Sequence, residues 1–362
     1  MSKRHPYVGL PDFQFWKKEK GIKNSQDFDP VTDIPFQINK QDKIVTAGSC
    51  FAQHVARYLN MSGFNHFITE KPHPIFDSEL ASKHNYGLFA ARYGNIYTAR
   101  QLKQLLLRSF NEFLPHEKAW TKSGYFVDPF RPQIQPQGFS SLLELEQDRK
   151  YHYASIRKAI TEMSVFVFTL GLTEAWEDSR DGSVVPLSPG IAGGTYDEDV
   201  YKFVNFSLSQ TRADLEFSLN YIRKLNPSVK FIITVSPVPL NATFETKHVF
   251  VSTTYSKSIL RVAAEEVANT FEDCVYFPSY EIITSPYVRG KYFAEDCRQV
   301  NEVGVAHVMK LFLKHFGDFK LVDSSQGDVD TISDVKSEVD NYMKEMEEVI
   351  DVLCDEEIIS NN

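Results

Sequence analysis

No apolar run in these 362 residues approaches the ~18 to 20 residues that a helix needs to span a bilayer. The start, Met1-Ser-Lys-Arg-His-Pro6, lacks the apolar centre of a secretory leader, so the reading places the chain in the cytoplasm. Cysteine is scarce. Cys50, Cys274, Cys297 and Cys354 have no C-x-x-C spacing, which excludes a zinc knuckle or a redox pair and leaves reduced thiols. There is no G-x-G-x-x-G, P-loop or H-E-x-x-H, so neither a nucleotide nor a catalytic zinc is called for, and no cofactor or metal is expected. Basic charge is also short, with 39 Lys and Arg against 48 Asp and Glu, and nothing resembles the footprint of a nucleic-acid binder.

What is present is a globular composition, 42% hydrophobic and 24% charged, with chain enough for a substantial core. The net charge of −9 is unevenly spread. Residues 318–362 hold 14 acidic against 3 basic side chains, which leaves the body close to neutral. Three regions are expected: an irregular arm over residues 1–40, a domain over 41–317, and an acidic tail over 318–362. In that tail Ile332, Val335, Val339, Tyr342, Met346, Val349 and Leu353 alternate three and four apart. This spacing predicts an amphipathic helix over 332–353, docked on its own domain or used for self-association or a partner helix.

Within the domain, Lys43 to Ala47, Ser164 to Leu170, Val229 to Val235 and Cys274 to Phe277 are short apolar runs ending in turn residues. They read as strands buried on both faces. Helical patterns fall at Val55 to Met61, Leu142 to Met163, Leu208 to Leu225, Ser256 to Phe271 and Asn301 to Phe316. Strands alternating with helices imply an α/β fold with a parallel sheet covered on both faces. Glu174 to Thr195, with its Asp-Gly, Ser-Pro-Gly and Gly-Gly steps, is the expected excursion beyond a strand's C-terminal end, with a hairpin. Ligands bind in that crevice of open α/β sheets.

Gly48-Ser49 stands at the first strand-to-helix turn, where a serine is offered at the sheet edge with backbone N–H groups near any developing oxyanion. Cys50 is a competing nucleophile but is expected to face the core. Gly48-Ser49-Cys50-Phe51-Ala52 resembles the motif that names the GSCFA family, within the wider SGNH, or GDSL-like, esterases. Tyr93 to Thr98, Thr169 to Glu174, Ser236-Pro237-Val238, Tyr255 to Ser258 and Phe277 to Glu281 are similar to that family's other blocks, in order, over about residues 35–316.

The resemblance implies a three-layer α/β/α domain with Ser49 as nucleophile. It implies an oxyanion hole from Gly94 and Asn95 of the second block and Gly171 and Thr173 of the third, where threonine replaces the usual asparagine. The Asp-x-x-His element of these esterases reads Asp296-Cys297-Arg298-Gln299 here. An amide has no basicity near neutral pH, so Gln299 could hold a substrate hydroxyl but not accept a proton. With Asp296 as orienter, the base would be His307 or His248, with His54 and His73 behind them. Glu174, Lys257, Glu281 and Gln299 are the candidates for gripping a polar substrate, against a structural ion-pair role for the charged three. Two functions follow: a serine esterase or acyltransferase acting on a small-molecule or carbohydrate-like ester, or a degenerate esterase fold that binds a glycan, lipid precursor or protein partner.

Overall fold

The computed structural model describes residues 5–317 and 357–360; the helix expected over 332–353 lies outside the described residues. Strand β1 (Ile44–Gly48) leads into α1 (Phe51–Met61), followed by the short α2 (Ser78–Lys83) and α3 (Ala99–Ser109). A hairpin of β2 (Trp120–Lys122) and β3 (Tyr125–Val127) precedes α4 (Leu142–Glu162) and β4 (Val165–Leu170). Then come β5 (Glu174–Asp178), β6 (Val184–Val185), β7 (Tyr201–Asn205), α5 (Leu208–Leu225), β8 (Lys230–Val235) and α6 (Val249–Thr270). Strand β9 (Cys274–Phe277), α7 (Ser279–Thr284), α8 (Glu302–Phe316) and the one-turn α9 (Glu357–Ser360) complete the chain.

The four apolar runs pair as one parallel sheet in the order β1-β4-β8-β9. Side chains alternate across it. Val45, Ala47, Phe166, Phe168, Phe231 and Ile233 pack against α3, α4, α5 and α6, while Ile44, Val165, Val167, Ile232 and Phe277 pack against α1, α7 and α8. The result is the expected three-layer α/β/α architecture. No helix among the described residues is long and apolar enough to cross a membrane.

Register decides where chemistry can occur. Gly48 pairs with Thr169, Thr169 with Thr234, and Thr234 with Phe277, so all four strands end level. The residues that follow, Ser49, Gly171 and Ser236 among them, therefore meet along one edge. The excursion after β4 is longer than its turn residues suggest: β5 pairs antiparallel with both β6 and β7, making a second, three-stranded sheet that extends to Asn205. The arm before β1 forms four single turns of 3-10 helix and lies on the α8 side, with Trp16 and Phe28 against Tyr287.

Candidate active site

Gly48 holds φ +138°, and a Cβ there would stand 2.2 Å from the Thr169 carbonyl oxygen. Only glycine lets β1 end this close to β4 and release the chain into α1. The Ser49 N–H donates to that same carbonyl at 3.1 Å. From the second block, the Ile96 N–H donates to the Gly48 carbonyl at 2.7 Å, and Gln53 Nε2 on α1 donates to Asn95 Oδ1 at 3.0 Å. From the third, a Cβ on Gly171 would lie 3.0 Å from Ser49 Cβ and 3.2 Å from Tyr97 Cα. Three distant segments are thus locked around one hydroxyl.

Ser49 is 2% exposed, and its Oγ has no hydrogen-bond partner. A buried hydroxyl left unsatisfied costs ~1 to 3 kcal/mol, and such groups mark strain or function. It lines a small cavity with Cys50, Tyr97, Gly171, Ser236 and Leu240. Two larger spaces meet it. A groove of about 610 Å³ shares Pro239 and Leu240, and a pocket of about 370 Å³ shares Leu172 and Leu240.

Lys257, on α6, reaches the same corner. It is 2% exposed, and its Nζ donates to the Gly171 carbonyl at 2.6 Å. The sequence marked it for substrate; its place beside the Ser49 shell, on an element more than two hundred residues further along the chain, is visible only in the fold.

The third-block oxyanion donors are committed elsewhere. The N–H groups of Gly171 and Leu172 both donate to the Tyr97 carbonyl, at 2.9 and 3.1 Å. The Thr173 N–H donates to Ser256 Oγ at 3.0 Å, and its hydroxyl to Asn205 Oδ1 at 2.7 Å. Gly171 serves close approach, and Thr173 ties β4 to β7 and α6. Gly94, at φ +69°, turns the chain so that buried Asn95 abuts α1.

Neither expected imidazole reaches Ser49. His307 is buried in α8, its Nδ1 hydrogen-bonded to Tyr292 OH at 2.8 Å, and burial lowers its pKa. His248 caps α6 at the surface, its ring nitrogen accepting the Phe250 N–H at 3.1 Å. His54 is held on α1 near Phe51 and Arg57, where burial and then the guanidinium push it down to about 4. His73 accepts the Ile75 N–H in an exposed turn at 3.3 Å. Asp296 orients no ring: its Oδ1 accepts the N–H groups of Arg298 and Gln299, at 2.9 and 3.0 Å, and so shapes the loop. Gln299 Nε2 donates to Glu357 on α9 at 3.1 Å. Asp296, Arg298, Gln299 and Glu357 all line the 610 Å³ groove.

Glu281 is bound by Arg261 Nε at 2.5 Å and Tyr276 OH at 2.7 Å, which makes it the structural member of its pair. Glu174 accepts the Thr243 hydroxyl at 2.8 Å and lines the 370 Å³ pocket. Absent from the sequence reading is a buried ionic network behind the second block. Glu70 accepts from the Arg92 N–H at 2.7 Å and pairs with His152, while Arg92 and Arg131 both grip Asp148.

A serine at the first strand-to-helix turn of a three-layer α/β/α sheet, flanked by an asparagine loop and a glycine loop, defines the class. The chain belongs to the GSCFA family, whose profile matches residues 43–312. No curated protein matches it significantly. Among solved structures it is similar to a carbohydrate esterase family 3 protein from Talaromyces cellulolyticus, at 12% identity over 75% of this chain and 94% of that one, with a TM-score of 0.30. It is also similar to a protein from Parabacteroides merdae described as a GDSL-like lipase, at 12% identity over 78% and 99% of the two chains, TM-score 0.32. A third is a carbohydrate esterase family 2 enzyme with a carbohydrate-binding domain from Corynascus thermopiles (Myceliophthora fergusii), at 10% identity over 78% and 67%, TM-score 0.31.

Proposed function

We propose that this protein transfers acyl groups through Ser49, as an esterase or acyltransferase acting on an ester of a small polar or carbohydrate-like compound. The observation that carries the reading is the unpartnered, buried Ser49 Oγ at the sheet edge, beside spaces large enough for a substrate. Ser49 Oγ bonds to the ester carbonyl carbon as its proton passes to Lys257 Nζ, which stands at the Gly171 carbonyl beside the serine, takes the place of an imidazole and accepts the proton only when it carries none in excess itself. The Asn95 loop supports the tetrahedral oxyanion. Collapse expels the alcohol, which takes the proton back from Lys257. Water or a second alcohol then attacks the acyl-serine by the same route in reverse, giving hydrolysis or transfer.

A fluorophosphonate probe tests this directly. The expected result is stoichiometric labelling of the wild-type chain at Ser49 and none of Ser49→Ala, with turnover of activated esters reduced roughly a thousandfold or more in that variant. A second reading, a binding protein without turnover, is favoured by the amide of Gln299 engaging a carboxylate of the chain itself. Absence of labelling in the native protein, with the fold intact, selects it.

A further inference from the structure

The 370 Å³ pocket is walled by Leu172, Ala175, Trp176, Leu187, Phe203 and Phe244. Its rings brace one another edge to face: Trp176 lies 4.9 Å from Phe244 and 5.4 Å from Tyr196, at interplanar angles of 65° and 81°. The volume falls within the range of small-molecule sites. Its polar groups are few, and the Glu174 carboxylate already accepts the Thr243 hydroxyl. A sugar needs several hydrogen-bonding partners to replace its lost water; here Glu174, Ser188, Tyr196 and Thr243 are the polar side chains of an otherwise apolar lining.

The chain itself indicates what fits. On α9, Glu357 binds Gln299 Nε2 at 3.1 Å and faces Arg298 Nη1 at 3.6 Å, while Ile359 is one of the residues lining the pocket. Ile359 stays 38% exposed, and the 370 Å³ space that it helps to line stands open. An aliphatic group is therefore already drawn to this wall, and a longer one would bury more apolar surface.

We infer that this pocket receives the aliphatic chain of the acyl group, of medium length, and that Ile359 competes for its mouth. The inference rests on the Ser49 reading only for its catalytic consequence, namely that Leu172 and Leu240, shared by the pocket and the Ser49 cavity, would lead the acyl chain away from the carbonyl under attack.

The test is calorimetric titration of the full chain with octanoate, acetate and glucose. Octanoate is expected to bind about a hundredfold more tightly than acetate, and glucose not at all. Ile359→Ser should tighten octanoate about tenfold by removing the competitor, and Phe244→Ser, at a side chain 64% exposed and so tolerant of change, should weaken it about tenfold. Equal affinity for acetate and octanoate, binding of glucose instead, or an Ile359→Ser variant indistinguishable from wild type overturns the proposal. The two readings fail separately: octanoate binding without fluorophosphonate labelling leaves the pocket and removes the nucleophile, and labelling without octanoate binding does the reverse.

Discussion

At the scale of single residues the site is a problem of proton ownership. Ser49 Oγ is withheld from every hydrogen bond, and Lys257 is fixed to the carbonyl of the glycine that touches it. If Lys257 takes the proton, turnover of an activated ester should climb on the alkaline side of neutrality, because an amine must shed its proton first, instead of levelling off just above 6.5 as with imidazole. Lys257→Met should remove that rise together with most of kcat, and Lys257→Arg, permanently charged, should not restore it. A plateau just above pH 6.5 in the wild type would reject the assignment. The serine itself was legible in Gly48-Ser49 because a strand, a tight turn and a helix leave a local signature. The group that would take its proton was not, because His307 and Lys257 stand on helices, where phase alone does not say which side chain points where, and His248 proves to be only the surface cap of α6.

Elements show the same division. The four strands announce themselves as apolar runs because both their faces are covered, and α5 begins where its Ser207–Gln210 capping box places it. Helix α6 begins seven residues before the expected Ser256, at the His248 cap, since exposed Phe250, Val251 and Tyr255 obscure its amphipathic phase. Helix α3 escaped notice although Thr98 and Gln101 form a complete capping box: Thr98 Oγ1 accepts the Gln101 N–H at 3.1 Å, and Gln101 Oε1 accepts the Thr98 N–H at 2.9 Å. Thr98 directly follows the Asn95–Tyr97 loop, so this cap anchors the second block. Thr98→Ala should cost about 1 kcal/mol of stability, read as a lowered denaturation midpoint, and should slow ester turnover by more than that loss explains. Unchanged turnover would detach the cap from the site.

Across the whole molecule, burial of polar groups sets the response to acid. His66 is pushed down to about 4 by burial against Thr46 and Asn60, and His54 to the same level by burial and then Arg57, with Glu302 pulling the other way. Unfolded, each titrates near 6.5. As pH falls from 6.5 toward 4 the unfolded chain gains protons that the folded chain refuses, so stability falls through that window. Below it, Glu70, held near 2 despite burial by His152 and Arg131, carries the loss further. Thermal midpoints should decline steadily from pH 6.5 to 4, and His66→Gln should flatten part of the slope; constant midpoints would contradict this account.

The sequence by itself determined the layer architecture, the strand-to-helix turn at Ser49 and the failure of the Asp296-to-Gln299 element to supply a base. These are matters of local periodicity, backbone sterics and side-chain chemistry. Only the tertiary structure decided that Lys257 from α6 meets the Ser49 shell, that the Gly171 and Leu172 amides donate to the Tyr97 carbonyl and the Thr173 amide to Ser256, and that Glu357 and Ile359 return to the groove and pocket beside it. Each of these depends on sheet register and helix phase, which bring together segments that carry no information about one another along the chain.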